Sequence, residues 1–405
     1  LPTLILLLVI FLFFVLFIPI DHILIPSLVF TLWLTMPILA IVINQPLTAE
    51  SLFSATENKY LRIIARKTWR YFDDLVNIKT NHLPPDHFQK TTFSPVSTRT
   101  SATNIGMYLL SVSSSFDMGF ITSSDLLDRF ANTFNTLSKL DLLHGHFFNW
   151  YDISSLKTLP PSYISTVDSG NLACALLLTS KTLSDLATSN KPGENIVRSL
   201  DDLLTIAIQE SEPVLAGQLR NIQTKLRAKC PLDTIRAEIA GIEVDADSEL
   251  SYWLGKFKAL LDNSQKDVNG EKFIIQCQKL SALAESIAMN MDFTFLYDSK
   301  RNLFRIGYNF NTKAFDHGYY DLFASEARMA SFFAIAKYDV PLKHWTALAR
   351  PMTNYRTQTA LLSWGGSIFE YLYPNLFFPN YPNSLLWESY RTVVAGHIDY
   401  GNKNR

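Results

Sequence analysis

Ser-Thr-Val-Asp-Ser-Gly-Asn-Leu (165–172) leads directly into an apolar run of helical type, residues 168–179, and this change from polar loop to apolar helix best indicates the fold class. From there to residue 291 the sequence is almost continuously helical in pattern, with short breaks at Gly, Pro and Asn residues. Asp168 or Ser169 can cap this helix, whereas Asp168 and Asn171 can also face a cavity at its start. The pattern predicts a mainly α-helical protein.

Helical spacing of apolar residues continues on both sides of this region. It occurs over residues 57–76, 101–116, 123–140, 319–338 and 384–400. Residues 361–373 fit no single element type. Residues 293–298 and 303–308 alternate like two strands around a four-residue turn and predict a β-hairpin. Repeated helices separated by loops predict a toroid of paired helices with the loops gathered at one end.

Two uncharged apolar segments occupy the start of the chain, residues 4–18 and 23–43. The second has about the length that a bilayer core requires, so residues 1–45 are predicted to form a transmembrane helical hairpin in contact with lipid. Basic residues between 59 and 70 follow the second segment, which places the remainder in the cytoplasm. We therefore expect a globular domain over residues 46–405, with a helical insertion near 199–247.

Composition excludes several classes of function. A net charge of −1 gives no basic surface for nucleic acid. Cys174, Cys230 and Cys277 are odd in number and widely spaced, which fits reduced thiols and offers no pair of metal ligands. We expect no metal and no cofactor in this region, and no nucleic-acid partner.

One acidic residue, Glu326, lies in an apolar segment of helical pattern, residues 319–333. In a helix, the residues three and four positions before and after Glu326 would lie on the same face, and all four of them are apolar. A carboxylate in such surroundings is costly to ionise. Glu326 is therefore either a surface charge in an unusual place or an acid whose pKa is raised for proton transfer.

Polar and aromatic residues in the loops are of the types that bind sugars. Asn-Trp-Tyr-Asp (149–152) places two rings beside an amide and a carboxylate, although both rings could equally anchor the loop. Arg-Thr-Ser-Ala-Thr-Asn (99–104) forms another polar helix entry, with Ser101 as a natural cap. Glu370 can be a structural acid or a ligand for a sugar hydroxyl. Together these loops predict a carbohydrate cleft.

The predicted catalytic residue is Glu326. The predicted substrate-binding residues are Arg99, Asn104, Trp150, Tyr151, Asp152, Asp168, Asn171, Tyr320, Trp364 and Glu370.

Five motifs, in this order along the chain, resemble the central, glycoamylase-like region of bacterial cyclic β-1,2-glucan synthases. They are Leu-Pro-Pro-Asp-His-Phe-Gln (83–89), Arg-Thr-Ser-Ala-Thr-Asn-Ile-Gly (99–106), Gly-His-Phe-Phe-Asn-Trp-Tyr-Asp (145–152), Ser-Thr-Val-Asp-Ser-Gly-Asn-Leu (165–172) and Tyr-Tyr-Asp-Leu-Phe-Ala-Ser-Glu-Ala-Arg (319–328). The resemblance implies a six-fold double-helical (α/α) toroid, incomplete at its C-terminus, that acts as a retaining transglycosylase and cyclises linear β-1,2-glucan. Glu326 matches the acid/base glutamate of the family.

The resemblance also implies a larger enzyme of the bacterial inner membrane. A glycosyltransferase domain that uses UDP-glucose would precede this region, and a phosphorylase-like domain would follow it. The family's nucleophile lies in a Trp-Gly-Ile-Ser-Glu-Ser motif after the equivalent of Asp-Tyr-Gly (399–401), so we expect the chain as given to be inactive by itself. Two alternatives are a non-catalytic scaffold that binds glucan and a hydrolase of β-1,2-glucan.

Overall fold

The structure is a computed structural model that describes residues 53–91, 93, 95–189, 195–265 and 270–404, with a few positions between 19 and 39. The chain divides into two compact units, residues 1–60 and 61–405. Most of the predicted membrane hairpin lies outside the described residues. Within the described part, no helix combines the length and the apolar character needed to cross a bilayer. The membrane hairpin and the domain bounds stay predictions.

The described residues are mainly helical. Their α-helices are α1 (Ala55–Leu75), α2 (Ala102–Asp117), α3 (Ser123–Leu137), α4 (Thr166–Ser189), α5 (Ile196–Gln209), α6 (Pro213–Arg227), α7 (Leu232–Ala240), α8 (Glu249–Gln265), α9 (Glu271–Met289), α10 (Arg328–Ala336), α11 (Lys343–Ala347), α12 (Ile368–Leu372) and α13 (Leu385–Lys403). The helices predicted over 57–76, 101–116, 123–140 and 384–400 are confirmed within a few residues. Ser101 caps α2 as predicted, because its side chain accepts from the backbone N–H of Asn104.

Short strands lie in the loops between the helices. They are β1 (Arg99–Thr100), β2 (Leu142–Leu143), β3 (His146–Phe147), β4 (Tyr151–Asp152), β5 (Tyr163–Ser165), β6 (Tyr297–Asp298), β7 (Leu303–Arg305), β8 (Gly307–Asn309), β9 (Ala314–Phe315), β10 (Tyr319–Tyr320), β11 (Met352–Tyr355) and β12 (Gln358–Leu361). All the pairs between them are antiparallel. They form the sheets β1-β4, β2-β3, β11-β12, β10-β7-β6 and β5-β8-β9.

The predicted β-hairpin is confirmed around its turn, but it is shorter than expected. Asp298 of β6 pairs with Leu303 of β7, which leaves the four-residue turn 299–302. Residues 293–296 form a 3-10 helix instead of a strand. β8 does not continue the hairpin but pairs with β5, in a different sheet from β6 and β7. The alternating aromatic residues of this region are therefore divided between two small sheets.

The helix predicted over 319–338 is wrong in its first part. Residues 319–320 form β10, and α10 begins only at Arg328. The backbone between them bonds to a distant segment, because the N–H of Phe323 donates to the carbonyl of Ala349 (2.9 Å) and the N–H of Ala349 donates to that of Asp321 (2.6 Å). These long-range bonds replace the local bonds that a helix would make.

The main core is built around α4, which packs against α2, α9 and α10. Near its start, α4 approaches α10 backbone to backbone. A Cβ on Gly170 would lie 2.5 Å from the backbone nitrogen of Ala330, so only glycine fits. This close approach brings the start of α4 against the start of α10.

Helices α5 to α8 have a hydrophobic core of their own, to which Ile63 of α1 contributes. Ion pairs join this group to α1. Arg62 pairs with the buried Asp202 (2.6 Å), and Asp73 pairs with Lys256 (2.6 Å). The predicted insertion, residues 199–247, falls within this group of helices.

Candidate active site

Glu326 lies in the turn that leads into α10, where its carbonyl accepts from the N–H of Met329 (2.9 Å). Its side chain is half-buried and approaches α4, with Oε2 3.5 Å from Nδ2 of Asn171. Burial is the main cause that raises the pKa of Glu326 to about 7, and the nearby carboxylates of Asp168 and Glu370 raise it further. A carboxyl group with this pKa can both donate and accept a proton near neutral pH.

Asp168 lies in the first turn of α4 and connects the start of α2 with the loop that holds Asn149 through hydrogen bonds. Thr103 Oγ1 donates to Asp168 Oδ1 (2.5 Å) and accepts from Asn171 Nδ2 (3.1 Å). With its amide nitrogen turned toward Asp168, Asn149 donates to Asp168 Oδ2 (3.0 Å) and accepts from Trp150 Nε1 (3.0 Å). The network therefore connects the indole of Trp150 to Asn171, which contacts Glu326.

The residue that caps the start of α4 is not one of the two that were predicted. Asp168 and Ser169 do not cap the helix, because it begins earlier, at Thr166. Ser165 Oγ instead accepts from the backbone N–H of Asp168 (3.2 Å). The carboxylate of Asp168 is consequently available for the network.

Arg99 and Asn104 meet at a second carboxylate, Asp86. Asn104 Nδ2 donates to Asp86 Oδ1 (3.0 Å), and a guanidinium nitrogen of Arg99 lies 3.2 Å from Asp86 Oδ2. The Arg99 guanidinium also lies over the ring of Trp150, 4.1 Å from its centroid. Asp86, Thr103 and Asn104 line a cavity of about 320 Å³. The pairing of β1 with β4 brings Arg99 beside residues 150–152.

Tyr320, at the end of β10, is half-buried near the same carboxylates. Burial raises the pKa of the Tyr320 hydroxyl, and the charges of Asp168 and Glu326 raise it further. Its hydroxyl therefore stays protonated and available as a donor at neutral pH.

The structure corrects the prediction for Glu370. Its carboxylate is buried and accepts from Ser363 Oγ (3.0 Å) and from the backbone N–H groups of Trp364 (2.8 Å), Gly365 (2.7 Å) and Gly366 (3.1 Å). Glu370 thus holds its own loop, and its oxygens are occupied. Trp364, on that loop, is 53% exposed and can contact a ligand.

The structure also corrects the predicted role of Tyr151, and it shows a local role for Asp152. Tyr151 is completely buried, and its hydroxyl donates to the carbonyl of Asp141 (2.6 Å) and accepts from the N–H of Phe148 (2.8 Å). Asp152 Oδ1 accepts from the N–H groups of Ser154 and Ser155 and so closes its own turn. Both residues shape the loop that presents Trp150, and Tyr151 has neither exposed surface nor a free hydroxyl group for a substrate.

Three residues that were not among the predicted site residues join the network: Asp86, Asn149 and Thr103. Asn149 lies in a loop whose composition already indicated sugar binding, and Asp86 lies in the motif 83–89, so a signal was present for both. Thr103 gave no such signal, because a threonine in the first turn of a helix is usually unremarkable.

The arrangement combines a proton donor of suitable pKa with hydrogen-bonding groups and flat rings. Among the described residues, no group of three or more His, Cys, Asp or Glu side chains is arranged to hold a metal ion. The chemistry that these side chains can support is acid–base chemistry on a polyhydroxylated ligand.

Comparison with known proteins agrees with this fold. Residues 318–405 match the Glycoamylase family, described as "Putative glucoamylase". A solved structure with the same description, from Bacteroides fragilis NCTC 9343, superposes with a TM-score of 0.51 at 12% identity, covering 88% of this chain and 68% of that one. An endo-β-1,2-glucanase from Chitinophaga pinensis, solved with sophorotriose and glucose, gives 0.52 at 13% identity, covering 87% and 68%.

The cyclic β-(1,2)-glucan synthase NdvB of Rhizobium meliloti (strain 1021) is 33% identical over 415 residues, which is 92% of this chain. The chain spans 14% of the length of that relative. This chain is therefore similar to the glycoamylase-like family over residues 318–405, and it is related in sequence to a cyclic β-(1,2)-glucan synthase over 92% of its length.

Proposed function

We propose that this domain breaks and re-forms glycosidic bonds in a β-1,2-linked glucan, with Glu326 as the general acid and base. The observation that carries the proposal is the half-buried carboxyl group of Glu326, whose pKa of about 7 leaves it largely protonated below neutral pH. The similarity to a cyclic β-(1,2)-glucan synthase supports the choice of glucan.

In the proposed reaction, neutral Glu326 first donates its proton to the oxygen of the bond that breaks. As that bond breaks, a nucleophilic carboxylate, expected in the motif after residues 399–401, bonds to C1 of the glucosyl unit and forms an ester. The Glu326 carboxylate then removes a proton from the incoming hydroxyl group, whose oxygen bonds to C1 and displaces the nucleophilic carboxylate. If that hydroxyl belongs to the other end of the same glucan, the product is a ring, and if it belongs to water, the product is a shortened chain. We favour transglycosylation that cyclises the glucan.

A retaining mechanism needs a second carboxyl group, about 5–5.5 Å from the first, that attacks the sugar. Asp168 and Glu370 lie near Glu326, but both accept hydrogen bonds that hold local structure. We assign the nucleophile to neither of them. Asp168 instead orients Thr103 and Asn149.

The neighbouring polar groups would bind the glucan. Trp150 and Trp364 offer rings for the apolar faces of glucose units, and Arg99, Asn104 and Tyr320 offer hydrogen-bond donors. Excluding water from the reacting carbon would favour transfer over hydrolysis.

The wider assignment extends the same proposal. It comprises a complete six-fold toroid, attachment to the bacterial inner membrane through residues 1–45, and adjoining glycosyltransferase and phosphorylase-like domains. UDP-glucose would serve the glycosyltransferase domain, whereas the acid–base chemistry proposed here requires no cofactor.

The test is to incubate the full-length protein, which is expected to supply the nucleophile, with linear β-1,2-glucan and to analyse the products by mass spectrometry. We expect rings, and we expect Glu326→Gln to lower their rate of formation by about 10²- to 10⁴-fold. The matched control is Glu388→Gln, at a carboxyl group that is 46% exposed and pairs with Arg391.

Other outcomes would identify the alternatives. New reducing ends without rings would indicate a hydrolase. Glucan binding that is equal in wild type and Glu326→Gln, without any product in either, would indicate a scaffold.

A further inference from the structure

Tyr373 is buried, yet its hydroxyl group has no hydrogen-bond partner among the described residues. The residue begins a 3-10 turn directly after α12 and is 4% exposed. Its ring stacks on Phe369, with centroids 4.7 Å apart, and meets the edge of Phe377 at 5.5 Å. Because buried hydroxyl groups in proteins are almost always paired, an unpaired one requires an explanation.

The surroundings of Tyr373 connect it to the candidate active site. Burial raises the pKa of its hydroxyl, and the Cys174 thiol and the charges of Glu326 and Asp168 raise it further. Cys174 is three residues after Asn171, on the same side of α4. Phe369, which stacks on Tyr373, lines the 320 Å³ cavity together with Thr103 and Asn104.

A second unpartnered atom lies beside Glu326. Asn171 is completely buried, and its Nδ2 donates to Thr103 and lies 3.5 Å from Glu326 Oε2. Its Oδ1, however, accepts from no donor in the described part of the chain. A phenol that can donate and an amide oxygen that can accept are the two partners that a hydroxyl group needs.

A neighbouring residue shows what a purely structural tyrosine looks like here. Tyr371 lies two positions before Tyr373 and is similarly buried, at 3% exposure. Its hydroxyl donates to the carbonyl of Leu361 (2.6 Å) and so ties α12 to β12. Tyr373 has the same burial without such a bond.

We propose that Tyr373 is a positioning residue of this site and that its hydroxyl donates to a hydroxyl group held beside Glu326, with Asn171 Oδ1 as an acceptor in the same region. That hydroxyl group belongs either to a glucose unit of the glucan or to a water molecule. The proposal deepens the proposed function and rests on it.

The experiment compares Tyr373→Phe with Tyr371→Phe. Each change removes one buried hydroxyl group and keeps the ring. The melting temperature and the affinity for sophorotriose, measured by calorimetry, are determined for both variants and for wild type. The pH dependence of glucan turnover is measured with the same substitutions in the full-length protein.

We expect Tyr371→Phe to lower the melting temperature because it loses a satisfied hydrogen bond, and to leave affinity unchanged. If the partner is the sugar, Tyr373→Phe should keep or raise the melting temperature of the free protein, because the change then removes an unpaired buried group. If the bound hydroxyl belongs to the sugar, Tyr373→Phe should weaken sophorotriose binding by about five- to tenfold. If it belongs to water, affinity should stay constant and the pH profile of turnover should shift.

Two results would overturn the inference. One is a Tyr373→Phe protein with wild-type affinity and an unchanged pH profile. The other is a Tyr373→Phe protein that loses melting temperature as Tyr371→Phe does and shows no shift of the pH profile. Glu326→Gln separates this inference from the proposed function: an inactive Glu326→Gln beside a wild-type-like Tyr373→Phe refutes only the role of Tyr373, whereas an active Glu326→Gln refutes the proposed function.

Discussion

Glu326→Gln should change how the free energy of unfolding depends on pH. The pKa of Glu326 is about 7 in the folded protein, above its ordinary value of 4.5, so the folded state holds this proton more tightly than the unfolded state. The stability that results is complete below the ordinary pKa and is lost as pH rises through about 7. Because glutamine does not titrate, the variant lacks this dependence.

The size of the effect follows from the two pKa values. Between about pH 5.5 and about pH 8.5, linkage gives a loss of about 2 kcal/mol from wild type that the variant does not share. Relative to wild type, Glu326→Gln should therefore gain about this amount of stability over the same interval.

Urea unfolding at both pH values, with linear extrapolation to water, measures the difference. Taking the difference between variant and wild type cancels the titration of all other groups. Glu388→Gln serves as the control, because it removes an exposed carboxyl group. A Glu326→Gln difference that does not change with pH would refute the assignment of Glu326 as a carboxyl group protonated by its surroundings.

Three further predictions concern activity, helix packing and a loop. Because only protonated Glu326 can donate, a pH–rate profile should show glucan cleavage falling above pH of about 7, by about tenfold per pH unit, and a flat profile would contradict this role. Gly170→Ala should lower the free energy of unfolding by about 1–3 kcal/mol, since its Cβ would lie 2.5 Å from Ala330 N. The control is Gly217→Ala, which should raise the free energy of unfolding by about 0.5–1 kcal/mol, because no atom lies within 4 Å of the added Cβ. Equal losses of stability for the two variants in denaturant unfolding would argue against the close approach of α4 to α10. Glu370→Ala removes the acceptor of three backbone N–H groups and should cost about 2–3 kcal/mol in the same assay, whereas a loss below about 0.5 kcal/mol would show that the loop does not depend on it.

The sequence predicted the helices well where the pattern was long and local. The periodicity of residues 57–76 and 384–400 is set by contacts within the helix and against one core face, so it could be read directly. The segment before Arg328 could not be read in this way. Its apolar residues have helical spacing, but its backbone hydrogen bonds to Ala349, more than twenty residues later in the chain, keep it from forming a helix.

The candidate site was predicted in outline, and the roles of individual residues were not. Residue type indicated that Trp150 and Tyr151 belonged to one aromatic loop. It could not indicate that one ring would be half-buried beside Arg99 and the other completely buried. That distinction depends on the pairing of β1 with β4, two strands of only two residues each. Tyr373 was missed because an unpaired buried hydroxyl is visible only in three dimensions.

The separate core of helices α5 to α8 has a consequence for heat denaturation. This group is joined to α1 partly by ion pairs, some of them exposed, such as Arg70 with Glu249. Salt screens exposed pairs, while two hydrophobic cores of this kind keep their own cooperativity. We therefore expect a calorimetric scan of this protein to show two transitions whose separation depends on ionic strength, and a single two-state transition would show that both cores unfold together.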